Sequence, residues 1–425
     1  QQSPDEAERV FVYQWKSAAR QHQMSFFATG SYSDDFNANY HDSRITNWIK
    51  SANLAISLAT SQIESGKLTG HGAEFIPNLK EVSRIWRAYL MSEYVDNFGV
   101  MPINAFQGVD PEFNSCQDVY YFLLDELKDA ASKLDVAVKP TDFEKKFDSA
   151  YKFDFESWVK YANSMRMRLA MRLSEVDAQK AQEEFEDAAK GSLILSSTGI
   201  FKVAEKSGWD ALTGVMSRQW NSQLLSKAMF NILTNLGGVN TIELLPEDRY
   251  QSYIKDKKYL GLFIPDHLSA NSDDPTTRYF LDGIPGSVDP RAFKMFFLPY
   301  DREAENFIDW NTEDKSVYYL KNGDVKVDSI DAQFCWNGYS NGFNGAKYNS
   351  NEIATNSYTN YPQMGKQYRE STNSRVFFGD WETWFLLAEG AVRGWNTNGV
   401  TAKDAYEKGI AASFVYHGVN SSILS

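Results

Sequence analysis

The sequence predicts a mainly α protein in which antiparallel, tetratricopeptide-like helix pairs bracket a long, loop-rich insert. Three observations carry this. Apolar residues recur at helical spacing through most of residues 1–235. From about 240 to 378 the periodicity stops, and Pro246, Pro265, Pro275, Pro285, Pro290, Pro299 and Pro362 appear among many Asn, Asp and Gly. Helical spacing then returns over 379–425. The chain is accordingly read as a single domain, with a helical scaffold at 1–235 and 379–425 and an irregular, loop-rich part at about 240–378, of a kind that is usually functional or flexible.

Taken in order, residues 4–27 carry a mixed apolar pattern around Val10, Phe11, Tyr13 and Trp15. Residues 43–65 place Ile45, Trp48, Ile49, Ala52, Leu54, Ile56 and Leu58 on a helix, and 78–97 repeat the logic with Leu79, Val82, Ile85, Trp86, Tyr89, Leu90 and Tyr94. Gly99 and Pro102 stop that helix. Ser115-Cys116-Gln117-Asp118 resembles a capping box with Asp in place of Glu and opens a helix through Leu134. Residues 154–175 and 177–190 form a further pair, with Gly191 as the residue after its C-cap. Asp380 precedes "WETWFLLAEGAVRGW", and Thr401 to Asp404 cap "TAKDAYEKGIAASFVYH". Long helices with short connections pack as antiparallel neighbours, and the tetratricopeptide repeat is the common form of that design. Trp158 with Ala162, and Trp384 with Ala391, are large-then-small placements of that kind.

With 425 residues, 43% of them hydrophobic, the chain can bury one large core or a few ordinary ones. A net charge of −13 disfavours nucleic acid and anionic lipid as partners, since both need a basic patch. No apolar run is long enough for a transmembrane helix, and the start "QQSPDEAERV" reads as a mature or trimmed segment rather than a signal peptide. Cys116 and Cys335 lack metal-ligand spacing and are read as two unpaired thiols, although a disulfide between them cannot be judged from sequence.

Candidate chemistry is sparse. Gly338-Tyr339-Ser340-Asn341-Gly342 matches the G-x-S-x-G nucleophile elbow, yet that motif needs a buried strand before the serine and a helix after it. The flank "FNGAKYNSNEIATNSY" has no helical periodicity, so Ser340 reads as a turn residue. His22, His41, His71, His267 and His417 form no H-E-x-x-H or paired arrangement. Asp35, Asn37 and Asn39 alternate like the front of a calcium loop, but Tyr40 stands where glycine is needed and Thr46 where the final Glu is needed. Asp309, Asn311 and Glu313 fail likewise; a calcium site of another kind stays open, and no other cofactor is implied. Arg166, Arg168 and Arg172 lie on a helix that is apolar on most sides and are expected to pair with acids or carbonyls. Trp310, Trp336, Tyr339, Phe343 and Tyr348 sit among Asn and Asp in loop-like sequence. Flat rings stack on the C–H face of a sugar while such polar neighbours hold its hydroxyls; covering the helical scaffold is the alternative for each ring.

Three segments together resemble the SusD/RagB family. They are "SRIWRAYLMSEYVDNFGVMPI", "FDFESWVKYANSMRMRLAMRLSEVDAQKAQEEFEDA" and "FFGDWETWFLLAEGAVRGWNTNGVTAKDAYEKGIAASF", and the motifs run from about residue 78 to 415. The resemblance implies a lipid-anchored, cell-surface outer-membrane protein of a Bacteroidota-type bacterium. It implies a non-catalytic protein that binds oligosaccharide or polysaccharide, sometimes peptide, and delivers it to a TonB-dependent transporter against which the helical repeats sit. The resemblance also carries Asp34, Asp35, Asn39, Tyr40 and Arg44 forward as ligand-contact candidates, with Asp42 and Ser43 as alternative helix caps. Relatives carry a lipidated N-terminal cysteine and continue past the late helix with a Gln-Lys-Trp helix and an Arg-Arg pair. This chain runs from Gln1 to "VNSSILS", which is read as processing at the start and truncation at the end. From a different class, a helical carbohydrate-active hydrolase or lyase would also suit the composition.

Overall fold

The structure is a computed structural model, and it describes residues 7–23, 34–107, 110–205, 223–244, 254–255, 259–260, 286–298, 305, 317–322, 325–331, 362–370 and 373–420. The chain divides into two compact units. Unit 2 comprises Asn37–Ala204 and Ser374–Tyr416; unit 1 comprises Gln1–Phe36, Glu205–Asn373 and His417–Ser425.

Unit 2 is helical. Its long elements are α1 (Thr46–Glu64), α2 (His71–Phe98), α3 (Cys116–Lys133), α4 (Phe155–Arg172), α5 (Ala178–Ala189), α6 (Asp380–Val392) and α7 (Ala402–His417). Each of α1 to α4 packs on the next, and α6 packs on α4. Burial of one apolar stripe per helix stabilises such a stack far more than helix propensity does. The stripe of α2 holds Val82, Ile85, Tyr89 and Leu90, and that of α3 holds Val119, Leu123, Leu124 and Leu127, all buried. On α1, Leu54 and Leu58 are exposed, off the packed stripe. Helix α2 begins at His71 and carries Pro77 in its interior. The sequence reading places this helix at 78–97 on its apolar spacing; the structure extends it back to His71, although a proline inside a helix forfeits one backbone bond and crowds the preceding turn, and buried Phe75 packs within those added turns.

The capping box at α3 is complete. Ser115 Oγ accepts from the Asp118 amide at 3.1 Å, and the Asp118 carboxylate accepts from the Ser115 amide at 3.3 Å. Ser115→Ala removes one of these partners and is expected to lower the stability of unit 2 by about 1 kcal/mol, read as a shift in the urea unfolding midpoint.

Charged side chains tie the helices where apolar packing alone would leave arginines unpaired. Arg166 Nη2 donates to Glu184 at 2.7 Å and Asp187 at 2.9 Å, joining α4 to α5. Arg168 makes two bonds to Glu382 of α6, at 2.5 and 2.6 Å, and one to the Phe377 carbonyl at 3.0 Å. Arg172 pairs with Asp96. The three arginines of the α4 pattern thus each find an acid, as their helix requires.

Two glycines owe their place to close approach. A Cβ at Gly390 would stand 2.6 Å from the Phe185 ring, so α6 meets α5 only with glycine there. At Gly191 a Cβ would meet Asn163 Nδ2 at 2.5 Å. The sequence reads Gly191 as the residue after the helix C-cap, and the structure places it there, following the C-cap Lys190, with Asn163 packed close against it.

The described part of unit 1 is built from short pieces. A π-helical run, Ala7–Trp15, leads into one α-turn, Lys16–Ala18, and the strand His22–Gln23. That strand edges a four-stranded antiparallel sheet with Leu224–Leu225, Gln363–Met364 and Phe296–Phe297 in that order. Leu225, Leu233, Val288, Ala292, Phe296 and Leu298 form its core, joined by Met229, Phe230 and Met364. A two-stranded pair, Val317–Asn322 with Val325–Asp331, is also present, with an irregularity between Lys326 and Asp328.

Candidate functional site

The candidate segment lies on a helical run whose hydrogen-bond ladder changes pitch. Asp34–Tyr40 is α-helical, His41–Ile45 is π-helical, and α1 follows at once. A π-turn inside an α-helix costs some ladder geometry and recurs at functional sites. Here it follows Asn39 and Tyr40 and contains Arg44.

The individual candidates differ in setting. Asp34 opens the helix, and its side chain lies outside the described residues. Asp35 is exposed, while Asn39 and Arg44 are partly buried. Tyr40 is only 1% exposed, and its hydroxyl donates to Glu93 of α2. Its ring packs on Phe98 at 5.9 Å and Trp48 at 6.3 Å. Asn39, Tyr40 and Arg44 therefore share one helical run in unit 2, with Tyr40 directed into the packing. Trp310, Trp336, Tyr339, Phe343 and Tyr348 lie outside the described residues, as do Ser340 and Cys335. Cys116 is an exposed free thiol.

Around Tyr40 the structure assembles groups that sequence reasoning placed only as a helix stripe. Glu93 accepts from Tyr40, and it also bonds Tyr89 one turn earlier on α2. Burial first, then the Glu93 carboxylate, pushes the Tyr40 and Tyr89 hydroxyls far above the ordinary tyrosine range. Both phenols remain protonated and act as donors. Next to them Trp86 stacks on Tyr89 at 5.0 Å, and Phe377 meets Trp86 at 5.6 Å and Tyr89 at 5.4 Å. The Arg375 guanidinium lies 4.4 Å from the Phe377 ring centre. Trp86, Glu93, Arg375 and Phe377 are partly exposed. On the other side His41 holds Asp42 through Nδ1 and the Tyr94 hydroxyl through Nε2, each at 2.6 Å. Burial, then the Asp42 charge, raises the Tyr94 hydroxyl.

Chemically this is an aromatic edge beside one carboxylate and one guanidinium. Partly exposed rings offer a stacking face, and a carboxylate has acceptor sites beyond two tyrosine bonds. The spacing of Trp86, Tyr89 and Glu93 along α2 puts them on one face, the signal by which sequence could have grouped them. Among the described residues no three His, Cys, Asp or Glu side chains are placed to hold a metal ion. No helix of the described residues is long and apolar enough to cross a membrane.

Comparison with known proteins agrees with the three motifs. Residues 7–238 match a family described as starch-binding and associating with the outer membrane, and residues 319–424 match the SusD and RagB outer-membrane lipoprotein family. Among solved structures, a SusD homologue from Parabacteroides distasonis superposes with a TM-score of 0.62 at 22% identity, over 99% of this chain and 71% of that one. A chitin-binding protein gives 0.62 at 16% identity, over 99% and 75%. A chitin-binding SusD homologue from Flavobacterium johnsoniae gives 0.55 at 20% identity, over 98% and 70%. At these identities the likeness establishes the fold. No curated protein sequence matches the chain.

Proposed function

The chain belongs to the SusD/RagB family, and from that premise we propose that it is a non-catalytic, cell-surface glycan-binding protein that delivers oligosaccharide to a TonB-dependent outer-membrane transporter. The family match over residues 7–238, with its starch-binding and outer-membrane description, is the observation that carries the reading. Two solved relatives of the same fold are described as chitin-binding, which supports a glycan as the ligand class. In this reading the protein is held to the outer membrane by a lipid anchor, its helical scaffold faces the transporter, and residues of about 240–378 carry the ligand.

Within that part Trp310, Trp336, Tyr339, Phe343 and Tyr348 supply stacking rings. Asp34, Asp35, Asn39, Tyr40 and Arg44 supply the second set of candidates, in which enclosed Tyr40 acts by bracing Glu93. Trp310→Ala and Trp336→Ala are each expected to weaken a bound polysaccharide by about tenfold, since truncating a ring at the centre of a contact is costly. Isothermal titration of the variants against the parent's ligand checks this; affinity unchanged by both would remove these rings from the site. Retention of the chain on the purified transporter, and its loss on an unrelated barrel, tests the delivery role.

A further inference from the structure

The outer face of α1 is open to solvent yet carries no charge along most of its length. Helix α1 begins the stack of unit 2 and packs on α2, and its buried residues are Ile49, Ala52, Asn53 and Ala59. Away from that side, Asn47, Ser51, Leu54, Leu58, Ser61 and Ser65 are all exposed, Leu54 by 59% and Leu58 by 56%. From Ser51 to Ile63 there is no charged residue, in a chain that is 23% charged. A helix face meant for water ordinarily carries charged and polar side chains rather than leucines.

Spacing, symmetry and charge all fit this face to a second copy of itself. Its six positions alternate steps of four and three, the repeat by which one helix seats its side chains against another. About the level of Ile56, Leu54 mirrors Leu58, Ser51 mirrors Ser61 and Asn47 mirrors Ser65. A two-fold axis there lays α1 antiparallel on its copy, leucine on leucine at the centre, which is the self-complementarity an isologous contact needs. The same rotation brings Lys50 of each copy within reach of Glu64 of the other, on one flank of the pair. Both side chains are exposed, and among the described residues neither has an ion-pair partner in its own chain. A parallel arrangement would instead set Lys50 against Ala55 and leave Glu64 beyond the contact.

The polar residues of the face do not oppose its burial. Asn47 Nδ2 donates to the Ser43 carbonyl and Ser51 Oγ to the Asn47 carbonyl, each at 2.9 Å, and Ser65 Oγ donates to the Gln62 carbonyl at 2.7 Å. Each already bonds within its own helical run, so covering these groups does not strand them.

We propose that the outer face of α1 is a self-association surface, on which a second copy of the chain docks antiparallel through Leu54 and Leu58, with Lys50–Glu64 pairs along one edge. One pair of helices lies at the low end of interface size, so the dimer forms and dissociates with protein concentration. Self-association through α1 is independent of which ligand the chain takes.

Analytical ultracentrifugation of the full chain over about 1 to about 200 μM tests this, and a shift from monomer to dimer within that range is expected. Leu54→Glu and Leu58→Glu should each raise the dissociation constant by about tenfold or more. Their circular dichroism should match the parent's, because both side chains face solvent in the single chain. Lys50→Glu and Glu64→Lys should each weaken the dimer by about fivefold. The double variant, and an equimolar mixture of the two single ones, should recover the parent's association, since each restores opposite charges across the contact. Sedimentation as a monomer at every concentration, a dimer unmoved by both leucine variants, or a double variant no better than the single ones would each overturn the proposal. So would a monomeric chain whose retention on the purified transporter is lost in Leu54→Glu, because the face would then belong to that partner.

Discussion

Glu126→Ala is expected to destabilise unit 2 by about 3–5 kcal/mol, because it leaves two arginines buried without their shared acid. Glu126 sits on α3 facing α2 and is 7% exposed. Arg84 grips it with two bonds, Nε at 3.0 Å and Nη2 at 2.6 Å, and Arg87 adds a third at 2.5 Å. Arg84 keeps Glu81 at 2.6 Å and Asp129 at 2.7 Å, and Arg87 keeps Asn53 at 2.9 Å. The loss therefore falls hardest on Arg87, whose other side-chain hydrogen bond goes to the neutral amide of Asn53. Burial alone would push Glu126 up, but the bonds and charges of Arg84 and Arg87 outweigh it and hold the carboxyl below its usual value of 4.5. A carboxyl held down in the folded state stabilises above its unfolded value and loses that contribution as pH falls below it. Urea unfolding followed by circular dichroism should show the parent weakening as pH drops below about 4.5, with a smaller slope in Glu126→Ala. An Ala variant within about 0.5 kcal/mol of the parent would remove this network from the account of unit 2.

Trp158→Ala is the second large effect, expected to cost about 3–5 kcal/mol. The indole is 4% exposed at the start of α4. It packs edge-on against Tyr151 at 5.6 Å, Phe201 at 5.4 Å and Tyr161 at 6.0 Å, so its removal opens a cavity in an aromatic core that cannot readily collapse. Its Nε1 also donates to Asp148 Oδ2 at 2.9 Å, beside the Phe153 amide at 2.8 Å. Asp148 is buried, and it organises the loop before α4 by accepting from Ala150 and Tyr151 as well. Trp158→Phe should recover most of the packing while losing that hydrogen bond. Equal stability of the Ala and Phe variants would show that the cavity is not what costs.

What sequence made legible, and what it hid, follows the range of the interactions concerned. Helices α3 to α7 were readable because their signals are local: a Ser115–Asp118 box, a run of apolar spacing, an acid opening α6. The pairing of Arg166, Arg168 and Arg172 was readable in kind, since arginines on an apolar helix need acids, but Glu184, Glu382 and Asp96 could not be named before the helices were docked. The four-stranded sheet was not readable at all. Its strands are two residues long, and His22 meets Leu225 while Gln363 meets Phe297. Two residues carry no period. Nor did sequence show the π-helical runs Ala7–Trp15 and His41–Ile45, which no residue pattern marks. At the candidate site, Tyr40 looked like a sugar-binding aromatic among polar neighbours. Yet Tyr40, Ile45 and Ile49 are all buried along the same run, so the ring was drawn into the packing and its hydroxyl found Glu93. Trp86, Arg375 and Phe377 come together only through the antiparallel pairing of Ser374–Phe378 with Phe201–Ala204.

Family membership is what supports the proposal that the chain holds a carbohydrate ligand. The most direct test is affinity electrophoresis of the full chain through gels containing each of a panel of polysaccharides, starch and soluble chitin derivatives among them, with reducing ends assayed on the same mixtures. The account predicts retardation by at least one polysaccharide and no sustained release of reducing ends. Turnover abolished by a single carboxylate substitution, or binding of peptides with retardation by none of the glycans, would contradict it.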